Sequence, residues 1–160
     1  MRKKKGGVLR RAIVTPDKHA PIHDKAAIKV VCKAIELVKP DIYIDLGDLG
    51  EFSSVSHWQW KRKKKPPLEY IMPRVDDDVR AVNELLDIID KSLDKVGCDE
   101  RHICAGNHDE WLDAFVQANP YLEGYTFREA CKWDERGYEY YSYNEPVKIG
   151  KLTFLHGAYA

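Results

Sequence analysis

The chain lacks a surplus of charge of either sign, a long apolar run and a paired-cysteine motif. Its 160 residues include 26 basic and 26 acidic side chains, so the formal net charge is zero. This balance argues against a protein that binds nucleic acid or membranes over its whole surface. Because the basic N-terminus is followed by no apolar segment of signal-peptide type, and no apolar run approaches the length of a membrane span, we expect a cytoplasmic protein without a membrane partner.

Cysteine is scarce as well. The four cysteines are Cys32, Cys98, Cys104 and Cys131, and no two of them have the CxxC spacing. Three of the four lie inside or beside apolar segments. We therefore expect reduced, structural cysteines, which agrees with a cytoplasmic location.

The apolar segments follow one another in a β-α-β-α-β order, which is typical of an α/β domain. Strands are predicted at residues 8–14, 42–46, 101–105, 138–143 and 152–155, the last two separated by a turn at Gly150. The composition suits a single domain over residues 1–160, with a basic arm at 1–7 and an insertion loop at about 52–67.

Three helices are predicted between these strands. The first follows the capping residue Asp24, ends near Val38 and should bury one face, formed by Ala27, Val30, Val31, Ala34, Ile35 and Val38. The second should begin at the acidic residues 76–78 and end before Gly97, with an apolar stripe of Val79, Val82, Leu85, Leu86, Ile89 and Leu93. A short third helix should end before Pro120.

Three short polar motifs follow successive predicted strands. They are Asp17-Lys18-His19, Gly47-Asp48 and Gly106-Asn107-His108-Asp109, and a lone histidine, His156, ends a later strand. Each motif alone has an ordinary structural interpretation as a turn or a helix cap. Because an open α/β sheet builds its sites where its strands end, we expect the motifs to meet at one edge.

In this order the motifs resemble those of the calcineurin-like metallophosphoesterases, whose pattern reads DxH, GDxx(D), GNH(D/E), a lone His and a final GHxH. The segment from 133 to 152 is also similar to phage and bacterial members. The resemblance implies an α/β sandwich of mixed sheets flanked by helices. The chain has no GHxH, so we expect a truncated protein that covers the first two-thirds or so of a family domain and lacks the C-terminal part.

A truncated sandwich has two expected consequences. The strands near Tyr138 and Leu152 should expose edges that favour self-association. Each metal should also lack one imidazole, unless His23 or water completes its ligands.

The resemblance also implies a site that holds two divalent cations, manganese, iron, zinc or magnesium, with manganese favoured. Asp17 and His19 would bind the first cation, Asn107 and His156 the second, and Asp48 would bridge them. The resemblance assigns His108 to the leaving-group oxygen rather than to a metal. The resemblance further implies an acidic residue that orients His108. This residue is Glu51 here, whereas aspartate is usual in the family.

The function implied is metal-dependent phosphoester hydrolysis, by attack of a metal-bound hydroxide without a covalent enzyme intermediate. A nuclease or phosphodiesterase would use the same site, and the motifs do not separate monoesters from diesters. The alternative from another class is a catalytically impaired remnant that binds metal or nucleic acid.

The insertion loop contains a cluster of rings and cations shortly after Glu51. Its members are Trp58, Trp60, Lys61, Arg62, Lys63, Lys64 and Lys65. Such a run is usually a solvated loop. Rings beside cations near a phosphoester site would also suit a nucleotide or a nucleic-acid partner.

Overall fold

The computed structural model describes residues 9–56, 58, 61, 64 and 66–157. These residues form a four-stranded parallel sheet with helices, together with a two-stranded antiparallel hairpin. The predicted α/β class is therefore confirmed as a mixed α/β arrangement around a parallel sheet. None of the helices in this part of the chain is both long and apolar enough to cross a membrane.

The elements follow one another in the order β1 (Ala12–Thr15), α1 (Lys25–Val38), β2 (Ile42–Asp45), α2 (Leu68–Val96), β3 (Glu100–Cys104), α3 (Asn107–Ala118), a 3₁₀ turn (Pro120–Leu122), α4 (Phe127–Ala130), β4 (Tyr138–Tyr141), β5 (Val147–Ile149) and β6 (Leu152–Phe154). The strand order in the sheet is β1-β2-β3-β4. The register places Thr15 opposite Asp45 and Asp45 opposite Ile103, so the first three strands end side by side.

The core lies around β2, in which every residue is buried. The predicted stripe of α2 is confirmed, since five of its six members are buried and Val79 is partly buried against the same cluster. Aromatic side chains extend this cluster, with Trp133 and Phe127 fully buried and their rings 5.5 Å apart. All four cysteines are free and three are buried, which agrees with the structural role expected of them.

Helix α1 begins as predicted but buries a different face. Asp24 caps it, and its Oδ1 accepts a hydrogen bond from the Ala26 N–H at 2.7 Å. Ile28 and Ile35 are buried, whereas Val30 is 67% exposed. Ala27 and Val38 are exposed as well, so the prediction was wrong for Ala27, Val30 and Val38. The reason is that α1 packs along α2 through Ile28 and its i+7 neighbour Ile35.

Helix α2 starts at Leu68, about two turns before the acidic residues that were expected to open it. Ile71 and Val75 are buried and extend the apolar stripe towards the N-terminus. This burial outweighs Pro73, which lies inside the helix and has no N–H to donate. The acidic residues 76–78 therefore lie within the helix and not at its positive end.

The last strands also differ in part from the prediction. Strand β4 and the turn at Gly150 are present, but β5 was not predicted, and it pairs with β6 from Val147 opposite Phe154. Within the described residues, β4 is the last strand of the sheet and β6 pairs only with β5. Self-association through these edges stays a prediction.

Candidate metal centre

The loops that follow β1, β2 and β3 meet at one edge of the sheet. Backbone hydrogen bonds tie the first loop to the second, from the Asp17 N–H to the Gly47 carbonyl at 3.0 Å and from the His19 N–H to the Asp48 carbonyl at 2.9 Å. The second and third loops touch so closely that a Cβ on Gly106 would lie 2.2 Å from Asp48 Oδ1. The close approach explains why the third motif needs glycine at this position.

Three residues of the candidate centre have a left-handed backbone. The φ angles of Asp17, His19 and Asp48 are 50°, 51° and 49°. A residue with a Cβ is held in this region at a cost of about 1 to 3 kcal/mol, and such residues concentrate at functional sites. The backbone strain therefore falls on residues of the first two motifs.

One group of potential ligands consists of Asp17, Asp48 and His156, whose ligand atoms all lie within 4.8 Å of one another. His156 Nδ1 lies 2.5 Å from the Leu46 carbonyl, so this nitrogen carries the proton and donates it. His156 Nε2 then lies 3.1 Å from Asn107 Oδ1 and 3.5 Å from Asp48 Oδ2. An imidazole anchored through one nitrogen presents the other in the way that metal ligands do.

A second group consists of His19, Asp48 and His108, with the same spacing limit of 4.8 Å. His19 Nε2 lies 3.8 Å from Asp48 Oδ2. His19 Nδ1 is buried and makes no well-aligned hydrogen bond in the described structure, although Glu51 Oε2 lies 3.1 Å away. Asp48 belongs to both groups, which is the position that a bridging carboxylate occupies between two cations.

His108 is held by contacts of both its backbone and its ring. Its Nδ1 donates to the Glu51 carbonyl at 2.7 Å, and its backbone N–H donates to Asp48 Oδ1 at 2.9 Å. The ring lies against His19 at 4.6 Å and against Trp111 at 3.9 Å between centroids. Glu51 therefore contacts His108 mainly through its main chain, while its carboxylate lies closer to His19.

Asp48 and His156 shift each other's pKa. Burial alone would raise the pKa of Asp48, but hydrogen bonds from His156 and the His108 N–H outweigh it and lower that pKa. The contact with Asp48 raises the pKa of His156 to about 9 against the effect of burial. A cation that binds Nε2 of a charged His156 must displace the proton on that nitrogen.

Asp109 is a structural member of the site that the sequence indicated only as a helix cap. The side chain is fully buried, and it accepts hydrogen bonds from the N–H groups of Gly106 at 2.8 Å, Leu49 at 3.2 Å and Gly50 at 3.3 Å. Burial raises the pKa of Asp109 to about 7, although two of these N–H groups favour the charged form. Asp109 thus ties the Asp48 loop to the start of α3.

A buried ion pair beneath the site was not predicted. Lys18 Nζ lies 2.7 Å from Asp45 Oδ2, and both side chains are almost completely buried. Asp45 Oδ1 also accepts from the Gly47 N–H at 3.2 Å, and Lys18 Nζ donates to the Thr15 carbonyl at 3.2 Å. The pair therefore links the loop that carries Asp17 and His19 to the end of β2, three residues before Asp48. The DxH pattern gives no signal for it, because its central position accepts any residue.

The structure describes only part of the predicted basic cluster. Trp58 is exposed, and Lys61 Nζ lies over its ring at 4.6 Å from the centroid. Lys61 and Lys64 are exposed, whereas Trp60, Arg62, Lys63 and Lys65 lie outside the described residues. His23, considered as a replacement ligand, belongs to neither group of potential ligands.

Comparison of the chain with models of known protein families gives no match, and comparison with curated protein sequences gives none either.

Proposed function

We propose that this protein is a metal-dependent phosphoester hydrolase of the calcineurin-like type, with a centre for two divalent cations. One observation carries the proposal: Asp48 belongs to two separate groups of potential ligands, one completed by Asp17 and His156 and the other by His19 and His108. A shared carboxylate between two sets of donors is the arrangement that a dinuclear centre requires.

The chemistry of the donors suits such cations. Carboxylate oxygens and the Asn107 amide oxygen suit manganese and magnesium, whereas imidazole nitrogens suit iron and zinc. The resemblance pairs Asp17 with His19 on one cation and Asn107 with His156 on the other. The structure instead groups Asp17 with His156 and His19 with His108, and Asp48 is the shared ligand in both arrangements. Cations held there would offset phosphoryl charge and lower the pKa of a coordinated water.

The contacts of His108 suit a role towards the substrate. Since Nδ1 donates to the Glu51 carbonyl, Nε2 is the nitrogen available to hold a proton for the leaving oxygen. Trp111 lies against the ring and restricts its rotation. Because the ligand atoms of His108 also approach His19 and Asp48, metal content must be measured together with activity.

The proposal is tested by Asp48→Asn, with manganese-dependent hydrolysis of p-nitrophenyl phosphate and bis(p-nitrophenyl) phosphate as the assay. Loss of a bridging ligand should remove hydrolysis of either ester and lower bound manganese, while the fold remains. The matched control is Asp99→Asn, the same chemical change at an exposed residue next to β3. Equal activity of Asp48→Asn and the wild type at the same manganese concentration would refute the proposal. Manganese binding without hydrolysis in the wild type would instead indicate the impaired remnant.

A further inference from the structure

A groove leads away from the candidate centre at Glu51 and follows the first turns of α2. It consists of two adjoining depressions that share Ser54 and Arg74. The first, of about 300 Å³, is lined by Glu51, Ser53, Ser54, Arg74, Asp77 and Asp78. The second, of about 310 Å³, is lined by Ser54, Lys64, Pro66, Tyr70, Ile71 and Arg74. We refer to these two depressions together as the Arg74 groove.

The groove is continuous with the candidate centre because Glu51 belongs to both. Its carboxylate lies 3.1 Å from His19 Nδ1, and its carbonyl accepts from His108. A ligand whose reacting group lies against His108 can therefore extend past Glu51 into the groove. Each depression has the volume of a small-ligand site, which is roughly 300 to 1,000 Å³.

The cations of the groove are available to a ligand. Asp77 forms an ion pair with Arg80, and Glu51 contacts His19 and Ser53. Asp78 accepts a hydrogen bond from Ser54 Oγ at 3.1 Å. Arg74 and Lys64, in contrast, make no ion pair within the described part of the chain. An unpaired guanidinium presents the planar set of donors that suits a phosphate group.

An exposed ring stands one helical turn from this guanidinium. Tyr70 is 66% exposed, and it precedes Arg74 by four residues, so both side chains project from the same side of α2. Both residues line the second depression. An aromatic face beside a cation suits a nucleobase joined to a phosphate, because the base stacks while the phosphate pairs.

We propose that the Arg74 groove binds single-stranded nucleic acid, with Arg74 on a phosphate next to the scissile one and Tyr70 stacked on a base. The substrate class of the centre is then a nucleic-acid phosphodiester, an assignment that rests on the proposed function. A small monoester would reach the candidate centre but would leave the groove unused. The groove residues therefore favour the diester, which the motifs alone leave open.

The test is the affinity for a fluorescein-labelled oligothymidylate of eight nucleotides, measured by fluorescence anisotropy in the Asp48→Asn background so that the probe is not cleaved. Arg74→Ala should weaken binding about tenfold and make its salt dependence shallower, since one phosphate contact is lost. Tyr70→Ala should weaken binding at least about fivefold, the effect of one lost stacking contact. Lys91→Ala removes an exposed cation from the same helix outside the groove and should change little.

The outcomes test the groove proposal and the proposed function separately. Equal affinity of Arg74→Ala and its parent, or equal weakening by Lys91→Ala, would overturn the groove proposal even if the wild type hydrolyses bis(p-nitrophenyl) phosphate. Groove-dependent binding without manganese-dependent hydrolysis of that diester by the wild type would overturn the proposed function and, with it, the substrate role of the groove. Groove-dependent binding together with hydrolysis of the oligonucleotide supports both proposals.

Discussion

At the scale of single residues, His108 is held more firmly than its motif indicates. Its backbone contacts Asp48, its Nδ1 contacts Glu51, and its ring contacts His19 and Trp111. These contacts fix the tautomer and the ring position without using Nε2. A residue arranged in this way can transfer a proton at one defined atom.

We expect His108→Asn to lower turnover of bis(p-nitrophenyl) phosphate by about a hundredfold or more, because proton transfer to the leaving oxygen is lost. Bound manganese should stay at the wild-type level, which elemental analysis measures. The control is His23→Asn, a histidine outside both groups of potential ligands, which should keep wild-type turnover. Loss of manganese in His108→Asn would identify His108 as a metal ligand and contradict the assignment.

The Lys18–Asp45 pair is a second feature at this scale. Removing one partner of a buried pair leaves a charge without compensation, which typically costs about 3 to 5 kcal/mol. We therefore expect Lys18→Met to lower the free energy of unfolding by that amount, measured by urea denaturation. Adding Asp45→Asn to Lys18→Met should restore much of the loss, because no buried charge then remains.

A double-mutant cycle of Lys18→Met, Asp45→Asn and their combination checks this interpretation directly. If the two single substitutions act independently, their effects will add, and the pair does not couple the loop to β2. A loss below about 1 kcal/mol in Lys18→Met would show that water or another group compensates Asp45.

At the scale of elements, α2 has two functions in the fold. Its buried stripe packs on the core, while its N-terminal turns present Arg74 and Tyr70 to the groove. The early start of the helix creates this second role, since a helix beginning at residue 76 would include neither side chain. Asp78 lies at the boundary between the buried stripe and the groove, because it is half-buried and contacts Ser54.

Asp78 should make stability depend on pH. Burial raises its pKa from 3.8 to about 6, reinforced by Glu51 and opposed by the Ser54 hydrogen bond. Between pH 4 and 6 the folded protein therefore holds a proton that the unfolded chain has released, so the contribution of Asp78 to stability falls as the pH rises. We expect Asp78→Asn to stabilise the protein more at pH 8 than at pH 4.5, measured by thermal unfolding.

The control for this prediction is Asp77→Asn, at an exposed neighbour paired with Arg80. An exposed ion pair contributes only about 0 to 1 kcal/mol, so this variant should show a small effect without the same rise towards pH 8. Equal effects of Asp78→Asn at both pH values would contradict the raised pKa of Asp78.

At the scale of the whole molecule, the candidate centre joins loops from distant parts of the chain. Asp48 and His108 are 60 residues apart, and His156 is 110 residues from its partner Leu46. A cation bound at this edge would connect the loops after β1, β2 and β3 with the loop after β6. Its binding free energy would then contribute to the stability of the entire fold.

Manganese should therefore raise the melting temperature of the wild type. At a free concentration one hundred times the dissociation constant, the stabilisation is about 2.7 kcal/mol, or about 5 to 11 °C for a chain of this length. Differential scanning fluorimetry with manganese or with EDTA measures the shift. Asp99→Asn should show the same shift and Asp48→Asn a much smaller one, whereas equal shifts in all three would mean that the cation binds elsewhere.

Five of the six strands, the helices α1 to α3 and the positions of the three motifs could be predicted because their signals are local, whereas β5 and α4 were not predicted. Asp24 caps α1 through its own neighbours, Gly150 allows a left-handed turn, and the stripe of α2 repeats with the helical period. The same signals placed the motifs at the ends of three strands, and in a parallel sheet those ends meet at one edge.

Other features depend on contacts between residues that are far apart in the chain. Ile28 rather than Val30 is buried because α1 meets α2 on that side, and α2 extends back to Leu68 because Ile71 and Val75 reach the core. Asp109 binds backbone donors about 60 residues away, and Lys18 reaches Asp45 across 27 residues. Periodicity and motif spacing carry no information on these pairings, because burial and charge compensation depend on which surfaces meet when the chain folds.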